Sequence, residues 1–134
     1  MEQKMDKQEI QTKNAPHSPL YSQGIKANGL VFLSGQIPLD PKTGKLIEGS
    51  IEQQFHQVFD NIEAILAAAS LSLEDLVRVE IYLADIGNLS LINQLYLERM
   101  THHPKPVRQT MQIGHLPMNA KIEVSCIAVE HPKM

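Results

Sequence analysis

Residues 106–129 read PVRQTMQIGHLPMNAKIEVSCIAV, and the way this stretch is parsed decides the fold. Alternation predicts two strands, residues 107–113 and 121–129, joined by a turn carrying Gly114, Pro117 and Asn119. In the first strand Val107, Gln109, Met111 and Ile113 share one face, and Arg108, Thr110 and Gln112 share the other. In the second, Ile122, Val124, Cys126 and Ala128 lie opposite Glu123, Ser125, Ile127 and Val129. The two are expected to form a final strand pair. Each carries one charge near its start, Arg108 and Glu123, and charges in apolar strands call for a partner or a ligand.

Working outward, Asn88 is placed to cap a helix over residues 89–101, with Leu89, Ile92, Tyr96 and Met100 along one side and Leu91 and Leu95 widening it. Pro104 and Pro106 end that helix. Before it, residues 76–84 alternate as a strand, with Val77, Val79, Ile81 and Leu83 on one face and Arg78, Glu80 and Tyr82 on the other. The clearest helix opens at Ser50, where Ser50 and Gln53 form a capping box. Ile51, Phe55, Val58, Phe59, Ile62, Ile65, Leu66 and Ala69 then recur at helical spacing. Residues 37–48, with Asp40-Pro41 and Thr43-Gly44, form a long surface turn. Residues 21–26 and 30–34 make a hairpin around the Asn28-Gly29 turn. Residues 9–13 give a short first strand, and residues 1–8 are polar and expected to fray. The order is β-hairpin, α, β, α, β, β. An α+β fold follows, a mixed sheet with two helices packed on one face, in a single domain over residues 1–134.

Composition narrows the function. A chain of 134 residues, 43% hydrophobic, can bury a real core. No apolar run approaches the ~20 residues that span a bilayer, and residues 1–11 contain no apolar signal-like core. The single cysteine, Cys126, excludes an internal disulfide and suits a reducing cytoplasm. A net charge of −3 argues against a nucleic-acid or anionic-membrane partner. The six histidines show no metal-ligand spacing, and Cys126 alternates with core positions, as a buried thiol does. No phosphate-binding glycine loop and no GxSxG elbow is present, so nothing points to a cofactor or a serine nucleophile.

The motifs Pro106-Val107-Arg108, Gly114, Leu116-Pro117 and Ile122-Glu123 resemble the C-terminal signature of the RidA, or YjgF, family. Tyr21-Ser22-Gln23-Gly24, the run from Phe32 through Ser34-Gly35-Gln36 to Pro38, Phe59-Asp60-Asn61-Ile62 and Asn93 to Tyr96 follow its pattern in order. The resemblance spans residues 15–130. It implies a chorismate-mutase-like fold whose sheets meet in a central barrel of a homotrimer, with cofactor-free enamine/imine deaminase activity. Three positions depart from the pattern: Gln109 replaces a small residue, Val124 an isoleucine or methionine, and Ser70 a helix-ending glycine. Gln109, beside Arg108 in sequence, is the departure expected to alter the pocket.

Arg108 admits two readings. A guanidinium fork binds a carboxylate through two charge-assisted bonds, while an edge-strand arginine is solvated or paired with Glu80 or Glu123. Spacing alone favours the second. The resemblance implies the first, with Arg108 anchoring the carboxylate of an imino acid or its keto-acid product. Glu123 is likewise either a structural ion-pair partner or, by resemblance, the group that holds the hydrolytic water. An arginine beside it would depress its pKa and favour water-holding over proton abstraction. The resemblance also places Tyr21, Ser34, Gly35 and the backbone N–H of Thr110 around the ligand, at a site between subunits. Asn61 and Gln36 are expected to be structural.

The reaction this implies is hydrolysis of 2-aminoacrylate/2-iminopropanoate and 2-iminobutanoate to 2-keto acids and ammonia. Two rivals stand beside it. One is a keto-acid-binding or chaperone-like trimer without turnover. The other is an endoribonuclease or translation inhibitor, a label some members of the resembled family carry.

Overall fold

The structure is a computed structural model that describes residues 6–131. Eight regular elements follow one another: β1 Lys7–Ile10, β2 Gly24–Ala27, β3 Leu30–Gln36, α1 Ile51–Ala68, β4 Leu76–Leu83, α2 Leu89–Arg99, β5 Val107–Gln112 and β6 Ile122–Val129. The six strands form one mixed sheet in the order β1-β2-β3-β6-β4-β5. All pairings are antiparallel except β4 with β5.

The expected final strand pair is not a pair. β6 lies between β3 and β4, and β5 pairs only with β4, in parallel. Burial explains the choice. Ile122, Val124, Cys126 and Ala128 are all buried, so β6 stabilises the fold most at the centre of the sheet. In β5, Val107 is 61% exposed and Gln109, Met111 and Gln112 are also exposed, which suits an edge. α2 supplies the crossover that a parallel β4–β5 pairing requires.

α1 begins as expected. Ser50 Oγ accepts from Gln53 N–H and the Gln53 side chain accepts from Ser50 N–H. Its far end closes with Leu71 N–H donating to Leu66 O and Ser70 N–H to Ala67 O, both at 2.9 Å. Ser70 adopts φ 61° to make this closure, a conformation that suits glycine. α2 starts differently: Asn88 makes no side-chain cap, and a 3-10 turn at Ile86–Asn88, capped by Asp85, leads in instead.

Both helices cover one face of the sheet. Phe55, Phe59, Ile62, Ile65 and Leu66 of α1 and Ile92 of α2 are completely buried against Val79, Ile81, Ile122 and Val124. Each such side chain contributes roughly 1.5–3 kcal/mol. Val77 departs from its expected place on this face and is exposed, because a bulge between Leu76 and Arg78 shifts the register with β6.

The first strand lies two residues earlier than expected. Gln23 is the cause: its side chain accepts from Thr12 N–H at 2.8 Å and donates to the carbonyls of Thr12, Ala15 and Pro16. These bonds draw residues 12–16 out of the ladder. Lys7 and Gln8, expected to fray, pair with β2; residues 1–5 of that expectation lie outside the described residues. The hairpin turn matches its sequence, with Asn28 and Gly29 both at positive φ between the paired Ala27 and Leu30.

Candidate active site

The alternation of β5 and β6 places the two charges on opposite faces of the sheet. Arg108 stands in register with Val79, and Thr110 with Ile81, both fully buried beneath the helices. Glu123 stands in register with Tyr82 on the outer face. Within one chain, Arg108 and Glu123 do not meet.

Arg108 is fixed from α2. Its Nη2 donates to Asn93 Oδ1 at 2.6 Å, and the guanidinium carbon lies 4.8 Å from the Tyr96 ring centroid, a cation–π distance. Asn93 and Tyr96 are three residues apart, so they face the strand together. The partners considered from sequence, Glu80 and Glu123, are not the ones Arg108 uses. Tyr96 Oη and Thr110 Oγ1 are buried on the same face without hydrogen-bond partners among the described residues. Burial raises the Tyr96 phenol pKa against the opposing pull of the Arg108 charge. The helix face therefore offers a guanidinium oriented at one nitrogen, with further N–H groups available for a carboxylate.

Glu123 sits in a depression of about 390 Å³ lined by Gly35, Tyr82, His115, Leu116 and Ser125 among others. A Cβ at Gly35 would overlap Glu123 Oε2, so glycine here makes room for the carboxylate. Burial raises the Glu123 pKa. The depression expected from an adjacent arginine is not found, since Arg108 is on the other face and loss of water dominates. A carboxylate of raised pKa handles protons better than a strongly acidic one would.

Ser34 precedes Gly35, and its hydroxyl donates to Ser22 O at 2.6 Å while its N–H donates to Gln23 O at 3.0 Å. Both bonds tie the end of β3 to the segment carrying Tyr21. Tyr21 itself is 60% exposed and lines a separate depression of about 720 Å³ with Lys13, His17, Gln23 and Pro41. Asn61 and Gln36 are buried and hold backbone, donating to Leu39 O and Ser34 O. Gln109 points away from Arg108, because consecutive strand residues alternate. Its Oε1 accepts from Arg78 Nη2 at 2.9 Å on the outer face.

Cys126 is buried beneath the helices and its thiol pKa is pushed up to about 12, which makes it an inert core group at neutral pH. Among the described residues, no three His, Cys, Asp or Glu side chains converge as metal ligands. No helix there is long and apolar enough to cross a membrane.

Comparison with known proteins then adds a family. A sequence model described as Endoribonuclease L-PSP matches residues 12–130. Reactive Intermediate Deaminase A, chloroplastic, of Arabidopsis thaliana is 43% identical over 123 residues, covering 91% of this chain and 65% of that protein. The chain belongs to the RidA family. A RutC family protein of Pyrococcus horikoshii is 44% identical, covering 91% of this chain and 97% of its own. The crystal structure of yeast Mmf1 superposes with a TM-score of 0.89 at 39% identity, covering 94% of this RidA-family chain and all of the other.

Asn93 and Tyr96 hold Arg108, a role that periodicity missed. Helical spacing identified only the buried side of Tyr96, although both residues stood in the RidA pattern. Tyr82 and His115, beside Glu123, carried no motif signal at all.

Proposed function

We propose that this protein is a cofactor-free hydrolase of reactive 2-imino acids, acting on 2-iminopropanoate and 2-iminobutanoate and their enamine tautomers. The observation that carries the reading is a pair of complementary half-sites: an oriented guanidinium on the helix face and a half-buried carboxylate facing a depression on the outer face. A substrate carboxylate docks on Arg108. Glu123 positions a water and takes a proton as the water oxygen bonds to the C=N carbon. The C=N π pair moves onto nitrogen, which takes a proton from solvent to give a carbinolamine. Glu123 then returns its proton to that nitrogen. The hydroxyl loses its proton to solvent as C=O forms and the C–N bond breaks, and a 2-keto acid and ammonia leave. An imine is already electrophilic, so positioning its carboxylate and one water suffices for the reaction.

Because the half-sites lie on opposite faces, one site needs two chains. Arg108 with Thr110 comes from one subunit, and Glu123, Gly35, Ser34 and Tyr21 come from another, in a homotrimer. Ser34 acts here by holding its strand end, since its hydroxyl already donates to Ser22 O. A cytoplasmic location belongs to the same proposal and rests on the single buried thiol.

The test is ammonia release from 2-aminoacrylate generated by a dehydratase. The parent accelerates release, and Arg108→Ala loses about 10²- to 10⁴-fold in kcat/KM, as expected for removing charge-assisted bonds. No acceleration by a folded, assembled parent would sink the enzyme reading and leave a keto-acid-binding protein.

A further inference from the structure

Resting on the deaminase reading, we propose that Tyr82 determines substrate specificity by walling the Glu123 depression, and that Gln109 holds this wall through Arg78 and Glu80. Four polar side chains form a continuous chain across the outer face. Tyr82 Oη donates to Glu80 Oε2 at 3.0 Å, Glu80 Oε1 lies 3.5 Å from Arg78 Nε, and Arg78 Nη2 donates to Gln109 Oε1 at 2.9 Å. The chain runs from the edge strand β5 along β4 and ends at the residue in register with Glu123.

The arrangement fixes the ring. A tyrosine on an open strand face can turn about its side-chain torsions, but a hydrogen bond to an anchored carboxylate selects one setting. Glu80 is anchored because Arg78 neutralises it, and Arg78 is anchored in turn by Gln109. Gln109, the residue that departs most from the family pattern, thus acts on the pocket at a distance and on the other face from Arg108.

The depression also says what the wall confines. Once a carboxylate is docked on Arg108 and a water on Glu123, the remaining group of a 2-imino acid is its side chain. Ile113, Leu116 and Pro117 line the same depression and make its apolar part. A substrate side chain that enters there meets the Tyr82 ring sooner the bulkier it is. Tyr82 is therefore placed to select against branched and aromatic side chains.

The experiment compares hydrolysis of the imino acids made from alanine and from leucine by an amino-acid oxidase, read as ammonia release above the uncatalysed rate. The quantity is the ratio of kcat/KM for the larger substrate to that for the smaller. Tyr82→Ala and Tyr82→Leu raise this ratio about 10-fold or more, a range expected for a change of apolar pocket volume. Tyr82→Phe keeps the ring but loses its bond to Glu80, so Tyr82→Phe and Gln109→Ser both move the ratio in the same direction as Tyr82→Ala by a smaller factor, about 3-fold. Circular dichroism verifies each fold; Tyr82→Leu, which keeps an apolar strand residue, serves if Tyr82→Ala does not fold. An unchanged ratio in a folded, active Tyr82 variant overturns the inference while leaving the deaminase reading intact. A parent that hydrolyses neither substrate overturns both.

Discussion

On the helix face of the sheet, Arg108 is over-determined: a side-chain amide at 2.6 Å, an aromatic ring beneath it and a packed helix behind hold one orientation. On the outer face, Glu123 has a glycine beside it, a depression in front of it and a pKa raised by lost water. The positive group is held in one orientation by its neighbours, and the negative group faces an open depression. A fixed cation selects and orients a carboxylate. A partly dehydrated carboxylate is poised to exchange a proton. The contrast between the faces is the division of labour that the proposed imine hydrolysis needs.

The sharpest way to break this comparison is to separate the faces genetically. Arg108→Ala and Glu123→Gln should each be nearly inactive alone. Dissociated and reassembled together at equal amounts, they should regain activity at about a quarter of the interfaces if each site draws its two charges from different chains. No recovery in verified mixed assemblies would mean that both charges come from one chain. Gly35→Ala should be the next largest effect: its methyl displaces the Glu123 carboxylate, lowering kcat by about 10- to 100-fold with KM little changed.

Asn93→Ala probes the other face and should show the opposite signature. Loss of a hydrogen bond to a charged group loosens the anchor and raises KM roughly 10-fold or more, with a smaller change in kcat. If kcat fell alone, Asn93 would belong to the chemistry and not to orientation. The smallest effect is on stability. Burial raises the folded-state Glu123 pKa above its ordinary 4.5, so the neutral carboxyl's contribution is fully present below that value and is lost as pH rises through the folded pKa. The Tm of Glu123→Gln should therefore gain on the parent by roughly 1–2 °C between acid and neutral pH. A Tm difference that shrinks with rising pH would contradict the outer-face description.

The site was unevenly legible for a physical reason. Arg108, Glu123, Gly35 and Ser34 announced themselves as charges or punctuation in apolar strands and as parts of short motifs. Only the fold shows that Gly35 makes room for Glu123. Asn93 looked like an ordinary polar helix position and Tyr82 like an exposed strand position. Their roles come from neighbours 15 residues away in one case and two residues along the strand in the other, and local periodicity does not report such partners. Gln109 adjoins Arg108 in sequence, which suggests one shared pocket, but it lies on the other face and bonds Arg78. In a strand, neighbours in sequence are separated by the sheet itself.

The amino-acid sequence by itself determined the element order, the α1 capping box, the Asn28-Gly29 turn, the apolar faces of α1 and β6, and the family motifs. Each depends on residues within a few positions of one another, where propensity and periodicity act directly. Tertiary structure alone decided that β6 lies between β3 and β4 and that β5 is an edge. It also decided that Gln23 draws residues 12–16 away from the sheet and that the two charges occupy opposite faces. Those outcomes depend on which apolar surfaces gain most by burial together and on which distant backbone groups a side chain can satisfy.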